Sequence, residues 1–184
     1  PVGDNGDWFP DDITQWYDRD LDGYGDNPNG ILPDICPDEY GQMEDDTNRG
    51  CPDTDDDGVA DVEDAFPDDP MQSSDRDGDG FADDPLAPQR DDCPDTYGLS
   101  NMGNTYGCPD DDGDGWANPR HDFPDVESQW EDTDEDGYGD NWGNSTWNDT
   151  RELSWPGMFI INATFSDAFP KDSIQWNDTD GDGW

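Results

Sequence analysis

Carboxylates spaced at alternate positions before a glycine are the residues of this chain that can do chemistry, and that chemistry is the capture of a hard cation. The pattern Asp-x-Asp-x-Asp-Gly opens at six places. Its carboxylates are Asp18, Asp20 and Asp22; Asp53, Asp55 and Asp57; Asp75, Asp77 and Asp79; Asp110, Asp112 and Asp114; Asp132, Asp134 and Asp136; and Asp178, Asp180 and Asp182. Positions 1, 3 and 5 wrap one ion, Gly at position 6 permits a sharp turn, and the carbonyl of residue 7 then turns inward, as in an EF-hand loop. That carbonyl belongs to Tyr24, Val59, Phe81, Trp116, Tyr138 or Trp184, and position 9 adds Asp26, Asp61, Asp83, Asn118 or Asp140. Val2-Gly3-Asp4 aligns with Val59-Ala60-Asp61, so Asp4 and Asp7 are the trailing ligands of a loop that opens before residue 1. Oxygen-only ligands select Ca²⁺, since Mg²⁺ prefers fewer carboxylates and Zn²⁺ prefers His or Cys. At least one Ca²⁺ per acidic loop is expected.

These are not complete EF-hands. Position 12, where a bidentate Glu would stand, is Asn29, Asp64, Leu86, His121 or Gly143, and no amphipathic helices flank the loops. Asp64 can close its own loop. The loops opening at Asp18, Asp75 and Asp132 need a ligand from elsewhere, and Asp34 and Asp91, sixteen residues after a loop start, are the candidates for the first two. His121 reads as a spare ligand or a solvated side chain rather than a general base. It is the only histidine, so no Ser-His-Asp or Cys-His set can be assembled without it, and no enzymatic activity is expected.

The elements that must position these loops form a repeat. Asp18, Asp75 and Asp132 are 57 residues apart, as are Asp53 and Asp110, Cys36 and Cys93, and Cys51 and Cys108. A linker recurs as Phe-Pro followed by Gln five residues later, at Phe9-Pro10…Gln15, Phe66-Pro67…Gln72, Phe123-Pro124…Gln129 and Phe169-Pro170…Gln175. The organisation is a preceding repeat end with linker over 1–17, unit 1 over 18–74, unit 2 over 75–131, a divergent unit 3 over 132–177, and a further loop start over 178–184. Unit 3 lacks Cys, and an apolar stretch over 155–165 stands where a second acidic loop is expected. The chain reads as a segment of a longer array or a processed product.

Composition explains why ions are needed. Of 184 residues, 51 are acidic and 7 basic, a net charge of −44, and only 28% are hydrophobic. A globular domain is about 45–50% apolar, so this chain cannot offset its ordering entropy by burial alone. The charge repels nucleic acid and anionic lipid, and no apolar run reaches the roughly 20 residues of a membrane span. Asp outnumbers Glu by 44 to 7, and Asp makes local turns through its own backbone where Glu does not. The fold expected is irregular and low in secondary structure: an elongated Ca²⁺-stabilised repeat array with disulfide-closed loops and at most one short β-strand, at about 158–165.

The motif Asp-x-Asp-x-Asp-Gly-x-x-Asp-x-x-Asp, complete at Asp53, Asp55, Asp57, Gly58, Asp61 and Asp64, resembles the thrombospondin type 3 repeats. The linkers are similar to those of Phe-Pro-Asp-Asp arrays in large secreted proteins of marine archaea and bacteria. The resemblance covers about 80% of the chain and weakens over 141–166. It implies calcium-packed strings with little regular structure, held by disulfides, with the Asp at positions 1, 3 and 5 and the residue-7 carbonyl as ligands.

Four Cys fall by repeat symmetry into Cys36–Cys51 and Cys93–Cys108, which points to an oxidising, extracellular or cell-surface setting. Sequons stand at Asn144, Asn148, Asn162 and Asn177, so covalent N-glycans are possible partners. The recurring Phe and Trp residues read as small local cores joining successive loops, with a glycan-binding platform as the competing reading. The stretch 155–165 is expected to be an edge that pairs with a second chain or a neighbouring repeat. The function expected is that of an extracellular calcium-binding structural element, a stalk, sheath or filament subunit; the alternative is a calcium-dependent adhesion module binding glycan or protein.

Overall fold

A computed structural model describes residues 6–183. Asp4 and Trp184, each expected to supply a ligand, lie outside the described residues. The expected irregularity is what the chain adopts. Among the described residues the regular elements are 3-10 helices over Asn118–Arg120 and Ser145–Asp149, with isolated β-bridges elsewhere. Pro and Gly interrupt the chain too often for an α-helix to nucleate. In place of a strand at 158–165 there are single bridges, Phe159 to Trp142 and Ser166 to Gly139, separated by a turn at Ile161 and Asn162. Positive φ angles at Asn162 (64°) and Phe165 (52°) break the extension between them.

The chain divides into two compact units, Pro1–Asp75 with Ala82–Pro88, and Arg76–Phe81 with Gln89–Trp184. Both expected disulfides form, Cys36–Cys51 in the first unit and Cys93–Cys108 in the second. More polar or charged residues are buried than apolar ones, fourteen against nine among the described residues. Cores built this way are held by hydrogen bonds and by whatever compensates the buried carboxylates.

Two buried glutamines show how a linker is fastened to the loop that follows it. In the first unit, Gln15 donates from Nε2 to the Asn27 carbonyl (3.2 Å) and accepts the Asn27 N–H at Oε1 (3.0 Å). In the second, Gln129 does the same with Asn141 (2.8 and 3.0 Å) and also donates to the Thr164 carbonyl (2.7 Å). Gly25 and Gly139 make this possible, because any side chain there would overlap the glutamine. The linker at Phe66-Pro67 has Ala82 at the matching position. Its Gln72 turns back to Asp69 (2.5 Å), and Asp84 receives the Ser73 N–H (2.8 Å) instead.

In the second unit the repeat's aromatics form small contacts of the expected kind. Trp130 stacks on Trp116 with centroids 5.8 Å apart, and Trp176 on Tyr138 at 5.2 Å. Among the described residues of this unit, Trp147, Ala168 and Phe169 form a buried apolar cluster, with Trp142 and Trp155 against it. Arg151 lies over both of those indoles, 4.2 and 5.6 Å from the ring centroids. Its guanidinium donates to the carbonyls of Asp140 (3.1 Å), Pro156 (2.8 Å) and Asp167 (2.7 Å), which ties the divergent segment to the loop that opens at Asp132.

Candidate metal centres

Each loop coils because its own carboxylates hold its backbone. The Asp at position 1 receives the N–H of Gly at position 6: Gly23 to Asp18 (3.1 Å), Gly58 to Asp53 (3.0 Å), Gly115 to Asp110 (2.8 Å), Gly137 to Asp132 (2.9 Å) and Gly183 to Asp178 (3.0 Å). The Asp at position 5 receives the N–H of residue 7: Tyr24 to Asp22, Val59 to Asp57, Phe81 to Asp79, Trp116 to Asp114 and Tyr138 to Asp136, at 2.8–2.9 Å. The position-6 glycines stand at φ between 86° and 102°, which side chains strongly disfavour. This coiling sets positions 1, 3 and 5 inward, while their even-numbered neighbours through position 4 face solvent, in the loops opening at Asp18, Asp53, Asp75, Asp110 and Asp132. In the last loop Asp180 and Asp182 stay exposed.

Position 9 latches the loop. Asp61 accepts from the Thr54 N–H (2.8 Å) and hydroxyl (2.6 Å), and Asp140 from the Thr133 N–H (3.2 Å) and hydroxyl (2.6 Å). Asp26 and Asn118 receive the N–H of Arg19 and Asp111 in the same way, and Asp83 is half-buried in the first unit.

A closing residue then covers each inward triplet. Asp34 donates its N–H to the Gly25 carbonyl (3.0 Å), Asp64 to Ala60 (3.0 Å) and Asp167 to Gly139 (2.9 Å), each carbonyl being that of loop position 8. Each accepts at Oδ1 the N–H two residues on, from Cys36 (2.8 Å), Phe66 (2.7 Å) and Phe169 (2.7 Å). Asp7 makes the same turn with Phe9 (2.9 Å), and Asp91 with Cys93 (2.6 Å). Asp91 is buried, and a side chain at Gly107 would meet both Asp91 and Asp79. The sequence signature is therefore Asp-x-Cys-Pro or Asp-x-Phe-Pro, two motifs with one geometry. Asp34, Asp64 and Asp91 were legible as closing ligands. Asp167 was not, because it arrives 28 residues after Gly139 where Asp34 follows Gly25 by nine. Its identity with Asp64 in the run Asp-Ala-Phe-Pro is the signal that could have found it.

The result is a set of carboxylate oxygens that are buried and have no hydrogen-bond donor: Oδ2 of Asp20, Asp22 and Asp34; Oδ1 of Asp53 with Oδ2 of Asp55 and Asp64; both oxygens of Asp134 with Oδ2 of Asp136 and Asp167. The triplets Asp18–Asp20–Asp22, Asp53–Asp55–Asp57 and Asp132–Asp134–Asp136 each bring one ligand atom per residue within 4.8 Å of the others. Burial, reinforced by the facing carboxylates of Asp22, Asp20 and Asp26, pushes the Asp34 carboxyl up to about 6. Burial, with Asp136 and Asp134 opposite, pushes Asp167 up to about 7. Asp22, Asp112, Asp114 and Asp134 are raised for the same first reason. Like charges packed without a donor are what a divalent cation resolves, so the residues present fit a bound metal ion.

The fourth loop is closed by His121, which stands where Asp64 and Asp167 stand in theirs. Its side chain is buried against Asp112 and Asp114, so it is not the solvated residue its sequence position allowed. The four sequon asparagines are exposed. Asn144 caps the 3-10 turn through Thr146 N–H (3.1 Å), and Asn148 accepts the Trp142 indole N–H (2.7 Å).

Compared with known proteins, the chain matches no protein-family model, and no curated protein is significantly similar to it. Among the described residues no helix is long and apolar enough to cross a membrane.

Proposed function

We propose that this chain is an extracellular calcium-binding structural repeat protein of the thrombospondin type 3 kind, part of a stalk, sheath or filament. The observation that carries the reading is the convergence of buried, donor-less carboxylate oxygens at the loops opening at Asp18, Asp53 and Asp132. Oxygen-only shells of several carboxylates with a backbone carbonyl suit Ca²⁺ in number and hardness. Extracellular loops of this class bind at about 10⁻⁴–10⁻³ M, and two disulfides fit the same setting. Calorimetric titration of the full chain tests it: several Ca²⁺ bind per chain, and Asp22→Asn removes one of them. Absence of saturable binding at millimolar calcium overturns the reading.

A second reading, adhesion to a partner or to another copy, is favoured by the apolar exposure of the divergent segment. Ile161 is 74% exposed and Phe165 57%, and Phe159 (41%) rests edge-on against Trp142 at 6.5 Å. Charged residues at Phe159 and Ile161 then abolish association in sedimentation while calcium stoichiometry stays constant. Association that survives both substitutions removes this reading. The sequons at Asn144, Asn148, Asn162 and Asn177 would carry N-glycans in a host that glycosylates.

A further inference from the structure

The fourth acidic loop departs from the others in one atom type. Its closing residue offers nitrogen where Asp64 and Asp167 offer oxygen. The His121 side chain is fully buried, and Nδ1 has no hydrogen-bond partner. Nδ1 lies 3.9 Å from Asp112 Oδ2, an oxygen that is also buried and without a donor. The other ring nitrogen, Nε2, is bonded to the Gln129 carbonyl. A carbonyl only accepts, so Nε2 carries a hydrogen, and Nδ1 is the ring nitrogen left to meet a cation. A buried ring nitrogen and a buried carboxylate oxygen that face each other with no hydrogen bond to either suit a cation that both can bind. Asp114 Oδ2, also buried and without a donor, lies 3.7 Å from Nε2, and one ligand atom from each of the three residues falls within 4.8 Å of the others.

We propose that the loop closed by His121 is a site for a borderline divalent cation of the Zn²⁺ class, held by His121 Nδ1, Asp112 and Asp114. This rests on the reading that the acidic loops hold metal, and it assigns this loop a different ion. Imidazole nitrogen favours zinc and its neighbours, while all-oxygen shells favour calcium. Metal-ligating histidines usually donate their second ring N–H to a carbonyl or carboxylate, the role Gln129 O plays here. A nitrogen-to-oxygen span of 3.9 Å lies within twice a zinc–ligand bond of about 2.1 Å. Gln129 also fastens the linker to the next loop, so the ring orientation is set by a residue the fold already requires.

The test uses the full chain with ~5 mM Ca²⁺ present, enough to occupy weak oxygen-only loops. Zn²⁺ is added alone as the probe, and the imidazole is followed by long-range proton–nitrogen NMR. With a single histidine in the chain the signal needs no assignment. The expected result is one Zn²⁺ per chain with a saturating shift at Nδ1. His121→Asp, which installs the residue that closes the second loop, should weaken Zn²⁺ binding by about 100-fold or more and raise the Ca²⁺ count by one. Ring resonances unmoved by Zn²⁺, Zn²⁺ affinity unchanged in His121→Asp, or Ca²⁺ excluding Zn²⁺ from the ring would each overturn the proposal. Calcium at the loops opening at Asp18, Asp53 and Asp132 is counted in the same samples. Calcium there with a silent His121 overturns this proposal alone, whereas zinc at His121 without calcium elsewhere overturns the calcium reading alone.

Discussion

At the scale of single residues, the closing carboxylates are proton sites in the folded metal-free chain and, on the proposed reading, ligands once calcium is bound. Asp34 and Asp167 are pushed up to about 6 and about 7, whereas an unfolded Asp titrates near 3.9. The folded metal-free chain therefore binds protons that the unfolded chain has released. Their contribution to stability is present in full below about pH 4 and is lost as pH rises through about 6 and 7. If calcium occupies the loops as proposed it displaces those protons, so binding should release protons near pH 6.5 and be weaker there than at pH 8. Titration calorimetry in buffers of different ionisation enthalpy reads this directly, and a buffer-independent heat at pH 6.5 would count against it. A second residue-scale test concerns position 4. Leu21 stands at φ 69° where three other loops have Gly. Left-handed backbone costs about 1–2 kcal/mol for a non-glycine residue, and glycine returns about 0.5–1 of that in entropy. Leu21→Gly should therefore stabilise the calcium-loaded chain by about 0.5–1 kcal/mol in thermal unfolding, and no gain would mean the loop relaxes elsewhere.

At the scale of elements, the linker glutamine separates two kinds of junction. Gln129→Ala removes a buried side chain and leaves the Asn141 N–H and the Asn141 and Thr164 carbonyls without partners. Each unsatisfied buried group costs about 1–3 kcal/mol. Gln72→Ala loses only a contact to Asp69 within its own linker and should be close to neutral. Equal losses for the two, measured as shifts in Tm with calcium present, would refute this division. Much of this level was legible: the loops, the disulfides and the linker repeat were read from spacing. The glutamine's role was not, because it depends on a missing side chain ten residues away, at Gly25 and Gly139, which spacing does not reveal. The short strand that an apolar run allows at about 158–165 is reduced to single bridges, because the run carries no sign of the left-handed residues that interrupt it. Asp167 was missed because its delivery depends on Arg151 and the Trp142 and Trp155 rings, contacts made across a divergent insertion. Each disulfide closes a fifteen-residue separation. Replacing Cys93 and Cys108 with Ser should cost about 3 kcal/mol in denaturant unfolding.

At the scale of the whole molecule, a net charge of −44 and a largely polar interior leave the hydrophobic effect too little to work with. Repeat units this poor in core depend on neighbour contacts, covalent ties and ions. Binding free energy then becomes folding free energy, as in other small metal-dependent modules. The central claim is that cations in the acidic loops take the place of a core, and near-ultraviolet circular dichroism reads it through the stacked Trp116–Trp130 and Tyr138–Trp176 pairs. With calcium the aromatic bands should be strong. An excess of chelator should abolish them, and calcium should restore them. Aromatic bands of equal strength with calcium and with chelator would contradict the account.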